Sequence, residues 1–175
     1  MKKVAFFVLM VVSASFPVNS KGPNPLPPEA KPKLYRLELP GKFWALEIDL
    51  SGFAVRKMPG DSDQASLEGS NMATGLNISV FIEKAAKDGD AKIARDFYWK
   101  RLQSSPLKGE DVKFSERNDA AIVEYTVKMV NWKNVNMYLS YDGYWIDIHL
   151  SKISFRASDE KSFEAILNSA RIVEK

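Results

Sequence analysis

Between residues 112 and 153 apolar and polar positions alternate with a period of two, and short turn signals interrupt the alternation. The sharpest is Tyr141-Asp142-Gly143-Tyr144. A two-residue hairpin loop needs positive φ at its central positions, which Asp-Gly tolerates, so Tyr141 is expected to pair with Tyr144. Counting outward sets Leu139 opposite Ile146, Met137 opposite Ile148 and Val135 opposite Leu150 on an apolar face. It sets Ser140 opposite Trp145, Tyr138 opposite Asp147 and Asn136 opposite His149 on a polar one. Upstream, Ala121, Val123, Tyr125, Val127 and Met129 alternate with Ile122, Glu124, Thr126 and Lys128. Holding that first set against Val135, Met137 and Leu139 requires a loop of odd length. Asn131-Trp132-Lys133 supplies one, with Thr126 across from Tyr138 and Glu124 from Ser140. A turn at Asn118-Asp119 then sets Phe114 opposite Val123, Val112 opposite Tyr125 and Lys113 opposite Glu124, completing a four-strand meander.

The remaining pattern is simpler. Residues 43–50 read as a strand with Trp44, Leu46, Ile48 and Leu50 on one face, and 53–55 as a short second strand. Residues 59–63 are a turn cluster; Asp61 and Asp63 do not make an EF-hand loop, whose twelfth position should be glutamate and here is Met72. Residues 74–83 form a strand with Leu76, Ile78, Val80 and Ile82 inward and Asn77, Ser79, Phe81 and Glu83 outward. Asp90 caps a helix over 91–104, and Ser158 caps a second over 158–170, followed by a short strand or coil. The expected class is α+β: an antiparallel sheet of about six strands, including the meander at 112–153, with both helices packed on its apolar face. Tyr125, Val127, Leu139, Ile146 and Ile148 are expected to lie together beneath Phe97, Leu102, Phe163 and Leu167.

Composition adds a location. Lys2 and Lys3 followed by nine apolar residues and a run of small ones read as a secretory signal over 1–20, cleaved near Ser15 or Ser20. Nine residues are too few to span a bilayer, so no stable membrane span is expected after cleavage. Residues 21–33 hold five prolines and read as a linker, leaving 34–175 as the folded domain. The formal charge of +3 falls to +1 once the two lysines of the signal are removed, which leaves no nucleic-acid footprint. The 175 residues include no cysteine, so disulfides, thiol chemistry, thiolate zinc sites and lipidation at a cysteine are excluded.

The element order, with the closing stretch Ser162-Phe163-Glu164-Ala165-Ile166-Leu167-Asn168-Ser169-Ala170-Arg171-Ile172-Val173, resembles the PsbP-like family, which includes the extrinsic photosystem subunit PsbP and periplasmic DcrB-like proteins. The aromatic residue that often follows the family's helical serine is Ala170 here. The resemblance implies assembly, binding or envelope roles, and it carries no common catalytic residues.

No nucleophile elbow, Walker loop, HExxH or dinucleotide fingerprint occurs, and no cofactor is implied. The one histidine, His149, follows Asp147 on the polar strand face, beside Asn136, Tyr138, Ser140 and Trp145, with Glu124 expected on the next strand. Trp132, placed in a hairpin loop, is expected to be an exposed anchor at the rim, because Trp is enriched at interface hot spots. These eight residues form the candidate binding face. The leading expectation is an exported, non-enzymatic binding or assembly module with a protein partner or small ligand in the cell envelope. The alternatives are a small hydrolase or transferase using Asp147 and His149, and a purely structural envelope protein.

Overall fold

The computed structural model describes residues 33–105 and 108–175. The expected signal and most of the proline-rich linker lie outside them. Ten strands and two helices follow in the order β1 (Leu34–Glu38), β2 (Trp44–Asp49), β3 (Ala54–Met58), β4 (Gln64–Asn71), β5 (Leu76–Lys84), α1 (Ala91–Gln103), β6 (Glu110–Arg117), β7 (Ala120–Val127), β8 (Trp132–Tyr141), β9 (Tyr144–Ile153), α2 (Glu160–Ser169) and β10 (Arg171–Glu174). The class is α+β with antiparallel strands, as expected. They form two sheets rather than one: a seven-stranded sheet ordered β3-β4-β5-β9-β8-β7-β6, and a three-stranded sheet ordered β1-β2-β10. The six-strand expectation left out β1 and β4. In β4 the inward positions Ala65, Leu67 and Gly69 are mostly small, so the alternation carries little hydrophobic contrast.

The Asp142-Gly143 hairpin has the expected register throughout, from Tyr141 opposite Tyr144 to Val135 opposite Leu150. Both loop residues have positive φ, 51° and 76°. The Asn118-Asp119 hairpin also holds from Arg117 to Lys113, after which a bulge shifts the ladder.

The β7–β8 register differs from expectation, and loop parity is the reason. Lys128–Val130 form one 3₁₀ turn, and Asn131 closes it in the left-handed region at φ 45°. The connection is therefore four residues long, between the paired Val127 and Trp132. An even loop in place of an odd one turns the strand over. Ala121 rather than Thr126 lies opposite Tyr138, and Val135 rather than Ser140 lies opposite Glu124. Val123, Tyr125 and Val127 consequently share a face with Asn136, Tyr138 and Trp145, not with Ile146 and Ile148.

Both faces of the large sheet carry hydrophobic layers. On the first, Leu67, Val80, Ile82, Ile146, Ile148 and Leu150 pack against the small sheet (Trp44, Leu46, Ile48) and against Phe163, Ile166 and Leu167 of α2. On the second, Ala121, Val123, Tyr125, Val127, Tyr138 and Trp145 lie under Ala91, Ala94, Phe97, Tyr98 and Leu102 of α1. The two helices therefore sit on opposite faces, which corrects the expectation that they share one. Each helix start is locally determined. The Asp90 carboxylate accepts from the Lys92 and Ile93 N–H groups at 3.0 Å each. Ahead of α2 the boundary residue is Asp159 rather than Ser158. Its carboxylate bonds no N–H of α2 but accepts from the Arg156 N–H at 2.8 Å, closing the 3₁₀ turn Ala157–Asp159 that leads into the helix, and from Lys152 Nζ at 2.7 Å.

Candidate functional site

Antiparallel pairing aligns residues in rows across the second face. One row runs Met58, Ser66, Phe81, Asp147, Tyr138, Ala121; the next runs Arg56, Glu68, Ser79, His149, Asn136, Val123. Each row begins on a stretch that α1 leaves open and ends beneath it, so the candidate residues divide according to their position along the row.

Tyr138, Ser140 and Trp145 lie under α1. Tyr138 stacks on Tyr98 with centroids 5.6 Å apart and planes 7° from parallel. Trp145 is 1% exposed and its ring lies 5.3 Å from Phe97. The Ser140 hydroxyl and the Trp145 indole N–H both donate to the Gly89 carbonyl, at 3.0 and 3.4 Å, which anchors the loop before α1. At the other end of the helix, Trp99 stands 5.5 Å from Tyr125 and 5.7 Å from Phe114. Gly109 runs close beneath this cluster: a methyl group there would meet the Tyr125 ring at 2.7 Å and the Trp99 ring at 2.9 Å.

Trp132 is not a loop residue. It opens β8, is half-buried, and packs against the layer beneath α1. Glu124 is on the opposite face, where its carboxylate accepts from Lys133 Nζ at 2.6 Å.

Asn136, Asp147 and His149 lie at the border of α1. Asn136 Nδ2 donates to Asp147 Oδ1 at 2.9 Å. Asp147 keeps part of its surface in contact with solvent, but neighbours enclose its carboxyl. Burial pushes that carboxyl up to about 7 against the pull of the Asn136 bond, and the Glu83 carboxylate adds to the rise. Burial also raises Glu83, opposed by Arg101. The hydroxyls of Tyr125 and Tyr138 are raised first by burial and then by Asp147. His149 Nε2 lies 3.0 Å from Asn134 Oδ1, an acceptor, so this nitrogen carries the proton; Asn134 Nδ2 in turn donates to the Trp132 carbonyl at 2.9 Å. Burial pulls the His149 imidazole down to about 4, which keeps it neutral. Asp147 and His149 are each held by a separate asparagine, and neither of these hydrogen bonds joins one to the other.

The uncovered part of the face, on β3, β4 and β5, carries Arg56, Ser66, Glu68, Ser70, Asn77 and Ser79, with Met58 37% and Phe81 48% exposed. Arg56 and Glu68 pair at 2.9 Å. The outward positions of β5 are visible in the alternation over 74–83. What was not visible is that β5 pairs with β9, from Asn77 opposite Ser151 to Lys84 opposite Tyr144, so the strand extends the candidate face. Among the described residues no group of three or more potential metal ligands comes together, and no helix is long and apolar enough to cross a membrane.

No protein-family model and no curated protein sequence matches the chain. A solved structure does: the solution structure of cyanobacterial PsbP (CyanoP) from Synechocystis sp. PCC 6803 superposes with a TM-score of 0.56 at 14% identity, covering 86% of this chain and 98% of that one. The chain has the PsbP-like fold.

Proposed function

We propose that this protein is an exported, non-enzymatic binding or assembly module of the cell envelope, and that it recognises its partner through the uncovered part of the second sheet face. The observation that carries this reading is the exposure of Phe81 and Met58 among hydrogen-bonding side chains, next to a layer that α1 seals. Apolar anchors ringed by polar groups are the ordinary composition of a recognition surface. The separate asparagine partners of Asp147 and His149 favour binding over a hydrolase or transferase, which would need the two to act on one another or on a shared substrate. The roles implied by the family resemblance point the same way.

Site-specific photo-crosslinking in the native envelope tests the reading. A photoreactive residue at position 81 should give a discrete adduct. The same residue at position 72, where Met72 is 85% exposed on the β4–β5 turn, should not. Equal adducts from both positions, or none from position 81, would leave the face without a partner.

A further inference from the structure

The small sheet stops short of the large one. β1 packs over β4, and no strand of the described residues pairs with the outer side of β1. Alternation in the β1–β2 ladder determines which backbone groups face outward. The Leu50 N–H donates to the Lys33 carbonyl, so residues 33, 35 and 37 bond toward β2, while Leu34, Arg36 and Glu38 direct theirs away from it. One of these outward groups already has a substitute partner. Lys57 rises from β3 on the small-sheet side and its Nζ donates to the Arg36 carbonyl at 2.6 Å. A lysine ammonium thus makes the bond that the N–H of a fourth strand would make. A cavity of about 320 Å³ opens beside it, walled by Arg36 and Glu38 of β1, Lys57 and Met58 of β3, and Ala65 of β4.

The charges along this edge are unequal. Glu38 is matched by Lys175 at 2.8 Å and Glu47 by Arg171 at 2.9 Å. Arg36 shares Glu47 at 3.2 Å and Glu38 at 4.0 Å. Among the described residues Lys57 has no carboxylate within salt-bridge distance, though its charge helps hold the Glu38 carboxyl down; four cations thus face two carboxylates. Pairing with a second copy of β1 is disfavoured: a five-residue strand centred on Arg36 would place Arg36 against itself, and like charges directly opposite destabilise a ladder.

We propose that the outer edge of β1 accepts an extended acidic peptide segment as a fourth strand of the small sheet, its backbone displacing Lys57 from the Arg36 carbonyl and its carboxylates meeting Arg36 and Lys57. This is strand addition, in which main-chain bonds supply affinity and side chains supply selectivity. An edge lysine serves meanwhile to block indiscriminate pairing. The inference does not rest on the open face of β3, β4 and β5, and each site stands if the other fails.

The test uses the full chain and a blocked heptapeptide alternating valine and glutamate, with residue-resolved amide exchange as the readout. Bound peptide should slow exchange at Leu34, Arg36 and Glu38 at least about tenfold, and the valine–lysine counterpart should bind at least about tenfold more weakly. Of two glutamate peptides N-methylated on opposite sets of alternate residues, one should bind and the other should not, because only one set faces the edge. Arg36→Pro removes an outward N–H and leaves the β1–β2 ladder intact, so it should abolish binding with an unchanged circular dichroism spectrum. No slowing at these three amides with about 1 mM peptide, slowing at β5 instead, or equal binding of the two methylated peptides would overturn the proposal. The methylated pair decides the matter even if Arg36→Pro fails to fold.

Discussion

The two parts of the second sheet face share strands, rows and pleat, and differ in what lies above them. Under α1 the row from Asp147 continues to Tyr138 and Ala121; outside α1 the same row continues to Phe81, Ser66 and Met58. Aromatic stacking that buries Tyr138 and Trp145 fills one side, while small hydroxyls and a surface ion pair occupy the other. A sheet face is thus not one environment. A single helix covers only a few strands, and a polar residue at its border, such as Asp147, is subject to both conditions at once.

The comparison predicts a steep contrast in stability. Trp145→Ala, beneath α1, should cost about 3–5 kcal/mol in chemical denaturation, as a large-to-small change at a fully buried aromatic. A smaller but still clear loss is expected at Gly109→Ala, because the added methyl meets two rings; overpacking of this kind costs about 1–3 kcal/mol. A Gly109→Ala protein as stable as wild type would show that the Trp99–Tyr125 cluster moves aside freely.

The border residues should show opposite pH dependence. The Asp147 carboxyl is raised from 3.8 to about 7, so the folded state keeps a proton that the unfolded state releases, and stability falls as pH rises through that window. His149 is lowered from 6.5 to about 4, so the unfolded state takes up the proton first, and stability falls as pH drops through that window. Between about 4 and 6.5 the two slopes oppose each other. Asp147→Asn keeps an acceptor for Asn136 and should stabilise the protein by about 1–3 kcal/mol at pH 8. It leaves the His149 slope, which rises with pH between about 4 and 6.5 and which the raised carboxyl of Glu83 partly offsets. His149→Gln should leave a slope that falls with pH, to which the raised carboxyl of Glu83 contributes in the same direction. Unfolding free energies of the three proteins from pH 4 to 8 check the signs; parallel curves would refute them. The smallest effect belongs to the open side: Phe81→Ala should change stability by no more than about 0.5 kcal/mol.

The fold was legible where local chemistry alone determines it. Asp142-Gly143 imposes a turn whatever surrounds it, and the whole β8–β9 register follows. Asp90 likewise marks its helix. What sequence could not convey was the second buried layer. A single apolar face would put Tyr125 and Val127 on the side of Ile148, whereas Lys128–Val130 coil into a 3₁₀ turn and the strand turns over. Trp132 and Glu124 were misplaced by the same step. Of the candidate site, Asn136, Tyr138, Ser140, Trp145, Asp147 and His149 do share a face, because their positions depend only on the Asp-Gly hairpin. Their burial depends on where α1 crosses, which no local pattern encodes.

The pairing of β5 with β9 has a kinetic consequence. β3, β4 and β5 are joined by short turns, and so are β6, β7, β8 and β9; each group can zip locally. Val80 meets Ile148 only after α1 and the whole meander intervene, so this union carries the largest loop-closure cost in the large sheet. Two fast-forming modules that dock late at one seam should therefore open there first, as separate cooperative units, when the native state fluctuates.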